Sequence, residues 1–499
     1  YRMIVLDTLL LFSANSSFPE SNYELWRSNG TAAGTYLLKD IYPGTTYSNI
    51  DNMTLLGTKV LFSAEDPIYG NELWITDGTT SGTKMLKEIN PATGDGMVSN
   101  VTTANGKVYF QATDPTNGYE PWVSDGTPGG TTILKDINPF SNSSNPGLFV
   151  ASGSNVYFSA NDGTAGIELW MTDGTTANTK MVKDINAGAG NSQPLNLTDA
   201  GGILFFIASD GVSGNELWKS DGTAAGTVLV KDLKAGAASP VISDCFGYAG
   251  KFYARIDTGT IGAELLISDG TAAGTYIVDI YPGASNGNPA NFVAYKGKVF
   301  FNAFASAGSE IFESDGTPGG TKKFYDNAVV DPDCNEFSEA KVINGMLYFS
   351  ASNTSSGTEP WISDGTVAGT KILKEIEAAG LHSYPQYFTK AGNFVVFRAT
   401  TAAQGSELWT TDGTTAGTKL LKNIYSGATG SQPLYFASLG EAAVFAAMDA
   451  TNGHELWITD GTGMNTFFLK DIYPGTTNSN IAYMSILGSK AIFKADHPD

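Results

Sequence analysis

Short apolar stretches alternate with turn residues along the whole chain, about ten residues apart. In one part of the chain these stretches are Met97–Thr103, Lys107–Ala112, Glu120–Ser124 and Thr132–Ile137. Stretches of this length between Gly, Asn and Asp residues are typical of strands rather than helices. Turns as short as Ala104–Gly106 allow only antiparallel neighbours. The pattern therefore predicts small up-and-down sheets of four strands.

The four-strand pattern recurs at a nearly constant period. Each repeat carries Glu-Leu-Trp or a close variant, which begins at Glu24, Glu72, Glu120, Glu168, Glu216, Glu264, Glu310, Glu359, Glu407 and Glu455. Successive copies are 48 residues apart, apart from one step of 46 and one of 49. A Ser/Thr-Asp-Gly-Thr turn follows each copy, with Asn29 as the one Asn variant. A period of this length indicates a repeat architecture.

Four antiparallel strands in 40 to 50 residues are typical of a β-propeller blade. The units begin near residues 1, 49, 97, 145, 193, 241, 289, 335, 384 and 432, and a half unit follows at 480–499. The sequence therefore predicts an all-β repeat protein of about ten four-stranded antiparallel units in one array over residues 1–499. A single ten-bladed ring is favoured. Two smaller rings are the alternative, because propellers usually have four to eight blades.

All tryptophans occupy the same slot of the repeat. They are Trp26, Trp74, Trp122, Trp170, Trp218, Trp361, Trp409 and Trp457, and the slot holds Leu266 or Phe312 in the two other copies. The second strand is apolar on both faces, as at Val60–Phe62, so both faces of each sheet should be covered. We expect the indole rings to fill the space between neighbouring sheets.

The repeated string Glu-Leu-Trp-x-x-Asp-Gly-Thr, as at Glu72–Thr79 and Glu455–Thr462, resembles the ELWxxDGT-repeat family of bacterial proteins. The resemblance covers essentially the whole chain. It implies a large secreted or surface protein of a Gram-negative bacterium, exported in some members by the type IX system. The expected location is therefore extracellular or at the outer cell surface, and the resemblance implies no particular reaction.

The charge balance and the apolar runs exclude several classes of partner. With 29 Lys and Arg against 50 Asp and Glu, the net charge is −21, which disfavours nucleic acids and anionic lipid surfaces. No apolar run approaches the roughly 18 residues of a spanning helix, so membrane insertion is not expected. The three histidines share no motif with a Ser or Cys, and no zinc or phosphate-binding spacing occurs. The sequence predicts no cofactor.

The Asp of the turn motif has two interpretations. In an acidic extracellular protein it could bind calcium, so an adventitious calcium ion is one alternative. The favoured interpretation is a structural cap, because Asp before Gly accepts backbone N–H groups of its own turn. One carboxylate per hairpin also falls far short of about six oxygen ligands.

The Glu of the motif and a Lys of the following strand recur together, as Glu120 and Lys135 do. Since the two strands should be paired, the sequence predicts a partly buried ion pair in most repeats. Glu as an acid or base catalyst is disfavoured, because ten equivalent active sites are implausible.

An acidic segment interrupts the irregular copies six to eight. Its residues Asp331, Asp333, Asn335 and Glu336 imitate the start of an EF-hand loop. The imitation fails because Glu336 stands where Gly is needed and Val342 stands where Glu should bind. The default interpretation is a solvated acidic insertion, and the alternative is a specialised binding edge.

The chain is predicted to be a non-catalytic extracellular scaffold for binding or adhesion, and not an enzyme. The connections Pro91–Asn100 and Phe140–Gly147 are rich in polar residues and suit glycans or surface proteins as partners. One alternative is a polysaccharide-acting enzyme, which would need carboxylates or a His that break the repeat symmetry at one pocket. The other is a structural subunit of a surface assembly.

Overall fold

The computed structural model describes residues 3–15, 23–29, 31, 33–91, 94–305, 308–324, 339–353, 356–378, 380–487 and 490–496. These residues form ten four-stranded antiparallel sheets and one two-stranded sheet. The predicted all-β fold of four-stranded propeller units is confirmed. Among the described residues, no helix has the length and apolar character needed to cross a membrane.

The strand bounds follow the repeat closely. The first three sheets comprise β1 (Met3–Leu6), β2 (Leu9–Asn15), β3 (Tyr23–Ser28), β4 (Tyr36–Lys39); β5 (Asp51–Leu56), β6 (Lys59–Asp66), β7 (Gly70–Thr76), β8 (Lys84–Lys87); β9 (Ser99–Ala104), β10 (Lys107–Asp114), β11 (Gly118–Ser124), β12 (Thr132–Ile133). The next three comprise β13 (Gly147–Ser152), β14 (Asn155–Asn161), β15 (Ile167–Thr172), β16 (Lys180–Lys183); β17 (Leu195–Asp199), β18 (Leu204–Ser209), β19 (Asn215–Ser220), β20 (Val228–Lys231); β21 (Val241–Tyr248), β22 (Lys251–Asp257), β23 (Ala263–Ser268), β24 (Thr275–Val278).

The later sheets have the same order. They comprise β25 (Ala290–Tyr295), β26 (Lys298–Ala305), β27 (Gly308–Ser314), β28 (Lys322–Lys323); β29 (Lys341–Ile343), β30 (Met346–Asn353), β31 (Gly357–Ser363), β32 (Lys371–Ile372); β33 (Gln386–Ala391), β34 (Phe394–Thr401), β35 (Gly405–Thr411), β36 (Lys419–Lys422); β37 (Leu434–Ser438), β38 (Ala443–Asp449), β39 (Gly453–Thr459), β40 (Phe467–Lys470). The two-stranded sheet is β41 (Ala482–Leu487) and β42 (Lys490–Lys494).

Strands within each sheet are paired in chain order, as consecutive hairpins require. The longest pairing joins the second and third strands, and the motif Trp lies opposite a Phe there, as Trp122 lies opposite Phe110. The fourth strand is the shortest in every sheet except the first, where β1 and β4 both have four residues. In the third sheet it covers only Thr132–Ile133, although the sequence pattern extends to Ile137.

The chain divides into two compact units, residues 1–260 with 266–277, and residues 261–265 with 278–499. In the first unit, each hydrophobic cluster joins two successive sheets. Trp122, for example, packs with Leu73 and Ile89 of the preceding sheet, and Trp170 packs with Val123 and Leu134. Trp74 and Trp218 follow the same rule, whereas Trp26 is only half-buried.

The second unit has the same internal packing. Trp361, Trp409 and Trp457 each lie in a cluster with residues of the sheet before them. The Trp361 indole also donates a hydrogen bond to the carbonyl of Ala351, at 2.9 Å. In both units a large ring on the third strand is therefore buried by the previous copy of the module.

The first strand of most sheets contains a bulge, where one residue adopts a left-handed conformation. Asn52, Asn100 and Asn196 occupy this position in the first unit, at φ of 54°, 53° and 52°. Their side-chain amides donate to backbone carbonyls of the next sheet, including Asn52 to Val98 at 2.9 Å. Asn suits this conformation better than most residues do. The amides therefore link successive first strands, which also contact each other.

Candidate functional site

The motif glutamate is a buried acceptor of backbone hydrogen bonds. Glu120 is 0% exposed, and its carboxylate accepts the N–H groups of Ile137 at 2.9 Å and Asn138 at 3.3 Å. It also accepts the N–H of Ser144 at 3.0 Å and the Ser144 hydroxyl at 2.6 Å. The carboxylate thereby fixes the connection that leaves the fourth strand. The repeated Glu positions a loop and is not exposed for chemistry.

The predicted ion pair between Glu120 and Lys135 is wrong. Lys135 Nζ lies 5.7 Å from the ring centre of Trp170 and donates to the carbonyl of Thr179 at 3.2 Å, both in the next sheet. The reason is side-chain parity, because neighbouring residues of a strand point to opposite faces. The repeated Lys lies opposite the residue after Glu, as Lys183 lies opposite Leu169. Glu and Lys therefore leave the sheet on different faces.

The lysine contact recurs and links successive sheets. Lys183 and Lys422 repeat it with Trp218 and Trp457, at 5.7 Å and 5.5 Å from the ring centres. Both also donate to a Thr carbonyl 44 residues further along the chain. A cation over a buried indole stabilises by about 0.5–2 kcal/mol. The Lys of these repeats therefore links its module to the following one. Copy seven differs, because Lys323 pairs with Glu310 at 3.1 Å.

Burial of the motif carboxyls should make stability depend on pH. Burial raises the pKa of Glu72, Glu120, Glu216 and Glu359 from 4.5 to about 7. Since the folded state then holds protons that the unfolded state has lost, the free energy of unfolding should fall as pH rises from about 4.5 to about 7. Urea denaturation at pH 5 and pH 8 should show the higher midpoint at pH 5.

The variant Glu120→Gln provides the control for this prediction. It removes one carboxyl whose pKa is raised by burial and should therefore flatten the pH dependence. Hydrogen bonds from Thr127 lower the pKa of Asp125, and the turn aspartates of seven other repeats behave alike. The free energy of unfolding that these aspartates contribute is lost only below about pH 3.8. A midpoint that rises between pH 5 and pH 8 would contradict the account.

The turn aspartate caps its own loop. Asp125 Oδ1 accepts the N–H of Thr127 at 2.8 Å and its hydroxyl at 2.7 Å. The Thr127 hydroxyl in turn accepts the N–H of Gly130 at 3.0 Å. A Cβ at Gly130 would overlap the Asp125 carboxyl, which explains the second Gly of the motif. These contacts are those of the capping interpretation, and the calcium alternative stays a prediction.

A polar cleft of about 630 Å³ lies in the first unit, where the second and third sheets meet. We call it the Asp51 cleft. It is lined by Asn49, Asp51, Asn52, Ser63, Glu65, Asn71, Asp95, Met97, Val98, Ser99, Gln111, Tyr119 and Asn145. Its size is that of a small-molecule or oligomer subsite. Carboxylates, carboxamides and one phenol dominate the lining.

Two strands place Asp51 and Glu65 on one side of the Asp51 cleft. Asp51 lies opposite Ser63 in the β5–β6 pair, and Glu65 follows Ser63 by two residues, so both project from the same face. The Cα atoms of diagonal neighbours of this kind are about 7–8 Å apart. Glu65 Oε2 accepts the Asn49 amide at 2.6 Å, and Asp51 Oδ1 accepts the N–H of Asn52 at 2.8 Å. Asp51 is exposed and Glu65 is partly exposed.

Asp95 has a positioning role in the Asp51 cleft. Its Oδ1 accepts the N–H of Asn71 at 2.7 Å. The equivalent contact is made by Ser143, Asn191, Ser239, Asn286, His382 and Asn478 in their repeats. Asp95 thus stands where other repeats have Ser, Asn or His in a recurring loop anchor, and it adds negative charge beside Asp51 and Glu65.

The pair of Asp51 and Glu65 departs from the repeat. The corresponding pairs in other repeats are Ser99 and Thr113, Gly147 and Asn161, Leu195 and Ser209, Ser243 and Asp257, Ala290 and Phe304, Gln386 and Thr400, Leu434 and Met448, and Ala482 and Asp496. None of these combines two carboxylates. The sequence-based requirement for an enzyme, carboxylates that break the symmetry at one pocket, is met at the Asp51 cleft. A position-by-position comparison of the repeats would have found it.

Other candidate groups do not converge at this site. His382 bonds to Thr358 at 2.7 Å, and His454 Nε2 lies 3.1 Å from the carbonyl of Gln432. Within the described part of the chain, no three His, Cys, Asp or Glu side chains are grouped as a metal site requires. The predicted binding edge of Asp331, Asp333, Asn335 and Glu336 lies outside the described residues.

No protein-family model and no curated protein matches the chain. Among solved structures it is similar to a prolyl endopeptidase (12% identity, TM-score 0.33), covering 80% of this chain and 54% of that one. It is also similar to the β-propeller domain of the Trilobed protease from Pyrococcus furiosus (12%, 0.29; 65% and 98%). A third is a puromycin-hydrolysing peptidase of Mycobacterium tuberculosis (12%, 0.30; 71% and 58%). The chain thus spans about half the length of the prolyl endopeptidase.

These comparisons correct two predictions. The chain was expected to be a non-catalytic scaffold for binding or adhesion and not an enzyme, whereas the solved structures to which it is similar are peptidases. At this identity the likeness is one of fold and carries no peptidase activity over to this chain. The all-β fold of four-stranded units rests on the strand pairing of the chain itself.

Proposed function

We propose that the chain is a glycoside hydrolase that cleaves a polysaccharide at the Asp51 cleft, with Asp51 and Glu65 as the catalytic carboxyls. One observation carries the proposal. Two carboxyl side chains share one face of the β5–β6 pair at a cleft, at positions where other repeats do not combine two carboxylates. Hydrolysis of a glycosidic bond needs one carboxyl to protonate the leaving oxygen and a second one to assist attack.

The strand geometry supports an inverting mechanism. Inverting enzymes hold their carboxyls about 6.5–9.5 Å apart so that a water molecule fits between the base and the sugar, whereas retaining enzymes hold them about 5–5.5 Å apart. The Cα atoms of diagonal positions such as Asp51 and Glu65 lie about 7–8 Å apart, and we propose that the carboxyl groups keep a separation in the wider range. One carboxyl would act as the acid, and the other would activate water on the opposite face of the ring.

The lining of the Asp51 cleft favours a neutral or amine-bearing polysaccharide. The side-chain amides of Asn49, Asn71 and Gln111 offer both donors and acceptors to sugar hydroxyls. Tyr119 and Met97 offer apolar surface to the faces of the ring. Three carboxylates in the lining and a net charge of −21 would repel uronic acids and sulfated chains.

We also propose that the enzyme acts outside the cell. The support is the resemblance of its Glu-Leu-Trp-x-x-Asp-Gly-Thr repeats to secreted and surface proteins of bacteria. Polysaccharides are the polymers that such a protein would meet there, and a glycan partner agrees with the polar lining of the Asp51 cleft.

The variants Asp51→Asn and Glu65→Gln test the proposal. Each should reduce the release of reducing ends from a neutral polysaccharide by about 10²–10⁴-fold, the usual loss of an acid or base catalyst. Cellulose, xylan, chitosan and starch form the substrate panel. The acid variant should keep activity on nitrophenyl glycosides, whose leaving group needs no proton, and the base variant should not.

Matched variants in another repeat provide the control. Leu195→Asn and Ser209→Gln alter the positions that correspond to Asp51 and Glu65, lie outside the lining of the Asp51 cleft and should leave activity unchanged. Full activity in both Asp51→Asn and Glu65→Gln would refute the catalytic assignment. Cleavage of peptides together with inactivity on every polysaccharide of the panel would refute the substrate class.

A further inference from the structure

The second unit carries exposed tyrosines at the bulge of its first strands. Tyr387, Tyr435 and Tyr483 occupy the bulge position of β33, β37 and β41, at φ of 63°, 56° and 53°. They are 48 residues apart. The rings of Tyr435 and Tyr483 are 45% and 70% exposed, and their strands contact each other. We call Tyr435 and Tyr483 the tyrosine pair.

Tyrosine is an unexpected residue at this position. The left-handed conformation favours Asn and Asp and is rare for bulky side chains. In the first unit the position holds Asn52, Asn100 and Asn196, whose amides bind the next strand, and Asp244, with Leu148 as the one bulky residue. The second unit has Asn291 at this position and then an aromatic residue three times. Residues held in rare conformations concentrate at ligand sites, so the exposed rings point to a binding role.

The three tyrosines do not have equal exposure. Tyr387 is stacked on Phe436, with ring centres 5.9 Å apart, and the Arg398 guanidinium lies 5.0 Å from its ring centre. Its ring therefore belongs to the packed wall. The two following repeats carry exposed amide side chains three residues before the tyrosine pair, at Gln432 and Asn480. The Asn480 amide donates to Asp496 at 2.8 Å.

We propose that the tyrosine pair is a second glycan-binding surface that holds the polysaccharide substrate without cleaving it. Aromatic faces bordered by amides and carboxylates suit pyranose rings, which present apolar C–H faces and hydroxyl edges. Two exposed rings on contacting strands offer two aromatic faces to a polymer, whereas a single free sugar could use only one of them. This inference rests on the proposed function for the identity of the polymer, and the observations on the tyrosines are independent of the Asp51 cleft.

The double variant Tyr435→Asn and Tyr483→Asn tests the proposal, because it installs the residue that the first unit uses at these positions. Depletion from solution by microcrystalline cellulose, insoluble xylan and chitin measures binding. The unaltered chain should bind at least one of these solids, and the double variant should bind it about tenfold or more weakly. The control Tyr276→Asn alters an exposed tyrosine of β24 and should bind normally.

Two further measurements separate a binding role from a structural one. The melting midpoint of the Asn double variant should equal or exceed that of the unaltered chain, since Asn suits the left-handed conformation better. The variant Asp51→Asn/Glu65→Gln should bind the solids as the unaltered chain does. Equal binding by the tyrosine double variant, no binding by the unaltered chain, or a lower melting midpoint would each overturn the inference.

The outcomes distinguish this inference from the proposed function. Tyrosine-dependent binding without any cleavage would leave the glycan surface in place and refute the hydrolase. Cleavage of insoluble polymer at an unchanged rate by the tyrosine double variant would refute the glycan surface and leave the hydrolase. If both hold, the double variant should lose activity on insoluble polymer while it keeps activity on soluble oligosaccharides.

Discussion

Replacing Glu120 with alanine is expected to lower the free energy of unfolding by about 3–4 kcal/mol. The carboxylate is fully buried and accepts the backbone N–H groups of Ile137, Asn138 and Ser144. Truncation removes the acceptor of the Ile137 and Asn138 N–H groups, whereas the Ser144 N–H keeps the carbonyl of Tyr119 at 3.0 Å, and each buried unsatisfied group costs about 1–3 kcal/mol. Denaturant unfolding of the purified variant at pH 6 measures the loss.

Lys135 provides the contrast for Glu120. The variant Lys135→Ala should cost about 1–2 kcal/mol, because it removes one cation–π contact and one hydrogen bond to a carbonyl. The two losses should add within about 0.5 kcal/mol in the double variant, since the side chains occupy different faces. A coupling energy well above that value would indicate that Glu120 and Lys135 form the ion pair that the sequence predicted, and it would contradict the structure.

The second large effect is expected for Trp170→Ala, at about 3–5 kcal/mol. The indole is 5% exposed and packs against Val123 and Leu134 of the preceding sheet, so its removal leaves a cavity between two modules. Trp170→Ala should also be coupled to Lys135→Ala by about 0.5–1 kcal/mol, because Lys135 lies over the same ring. Unfolding midpoints of the two single variants and the double variant give this value.

Trp26 is the matched control for Trp170. It occupies the same slot of the repeat but is only half-buried, so Trp26→Ala should cost clearly less. Equal losses for the two variants would mean that burial by the preceding sheet does not determine the contribution of the indole. The contact between the indole and the preceding sheet would then not be the main contact between modules.

The strand pattern could be predicted from the sequence because the turn residues recur so regularly. Asp125 and Gly126 mark the hairpin after β11, and β12 then follows as expected. The length of the fourth strand could not be predicted. Pro121 has no N–H to donate to the fourth strand, so β12 ends at Ile133, and β32 beside Pro360 is equally short.

The predicted ion pair failed for a reason that a repeat pattern does not reveal. Glu120 and Lys135 recur together, but recurrence shows only that both positions matter and not that they touch. In most repeats, as at Leu169 and Trp170, the register between the third and fourth strands shifts by a bulge and sets Lys opposite the Leu position. The face on which the Lys emerges follows from this register, which only the structure shows.

The candidate site was hidden by the regularity of the repeat. The motif residues recur from repeat to repeat, whereas the two carboxylates of the candidate site, Asp51 and Glu65, occur together in one repeat of those compared. Their common face depends on the register of β5 with β6, including its bulge after Asp51. The tyrosine pair could not be predicted for a similar reason. Tyr435 and Tyr483 are unusual only in comparison with the Asn residues at the equivalent positions of the first unit.

The most direct test of the central claim follows the anomeric protons by NMR while the unaltered chain acts on a soluble neutral oligosaccharide. The spacing of Asp51 and Glu65 predicts that the first product signal belongs to the anomer opposite to that of the cleaved bond. The same signal should be absent with Asp51→Asn/Glu65→Gln. A first product that keeps the configuration of the substrate, or no new anomeric signal, would contradict the account.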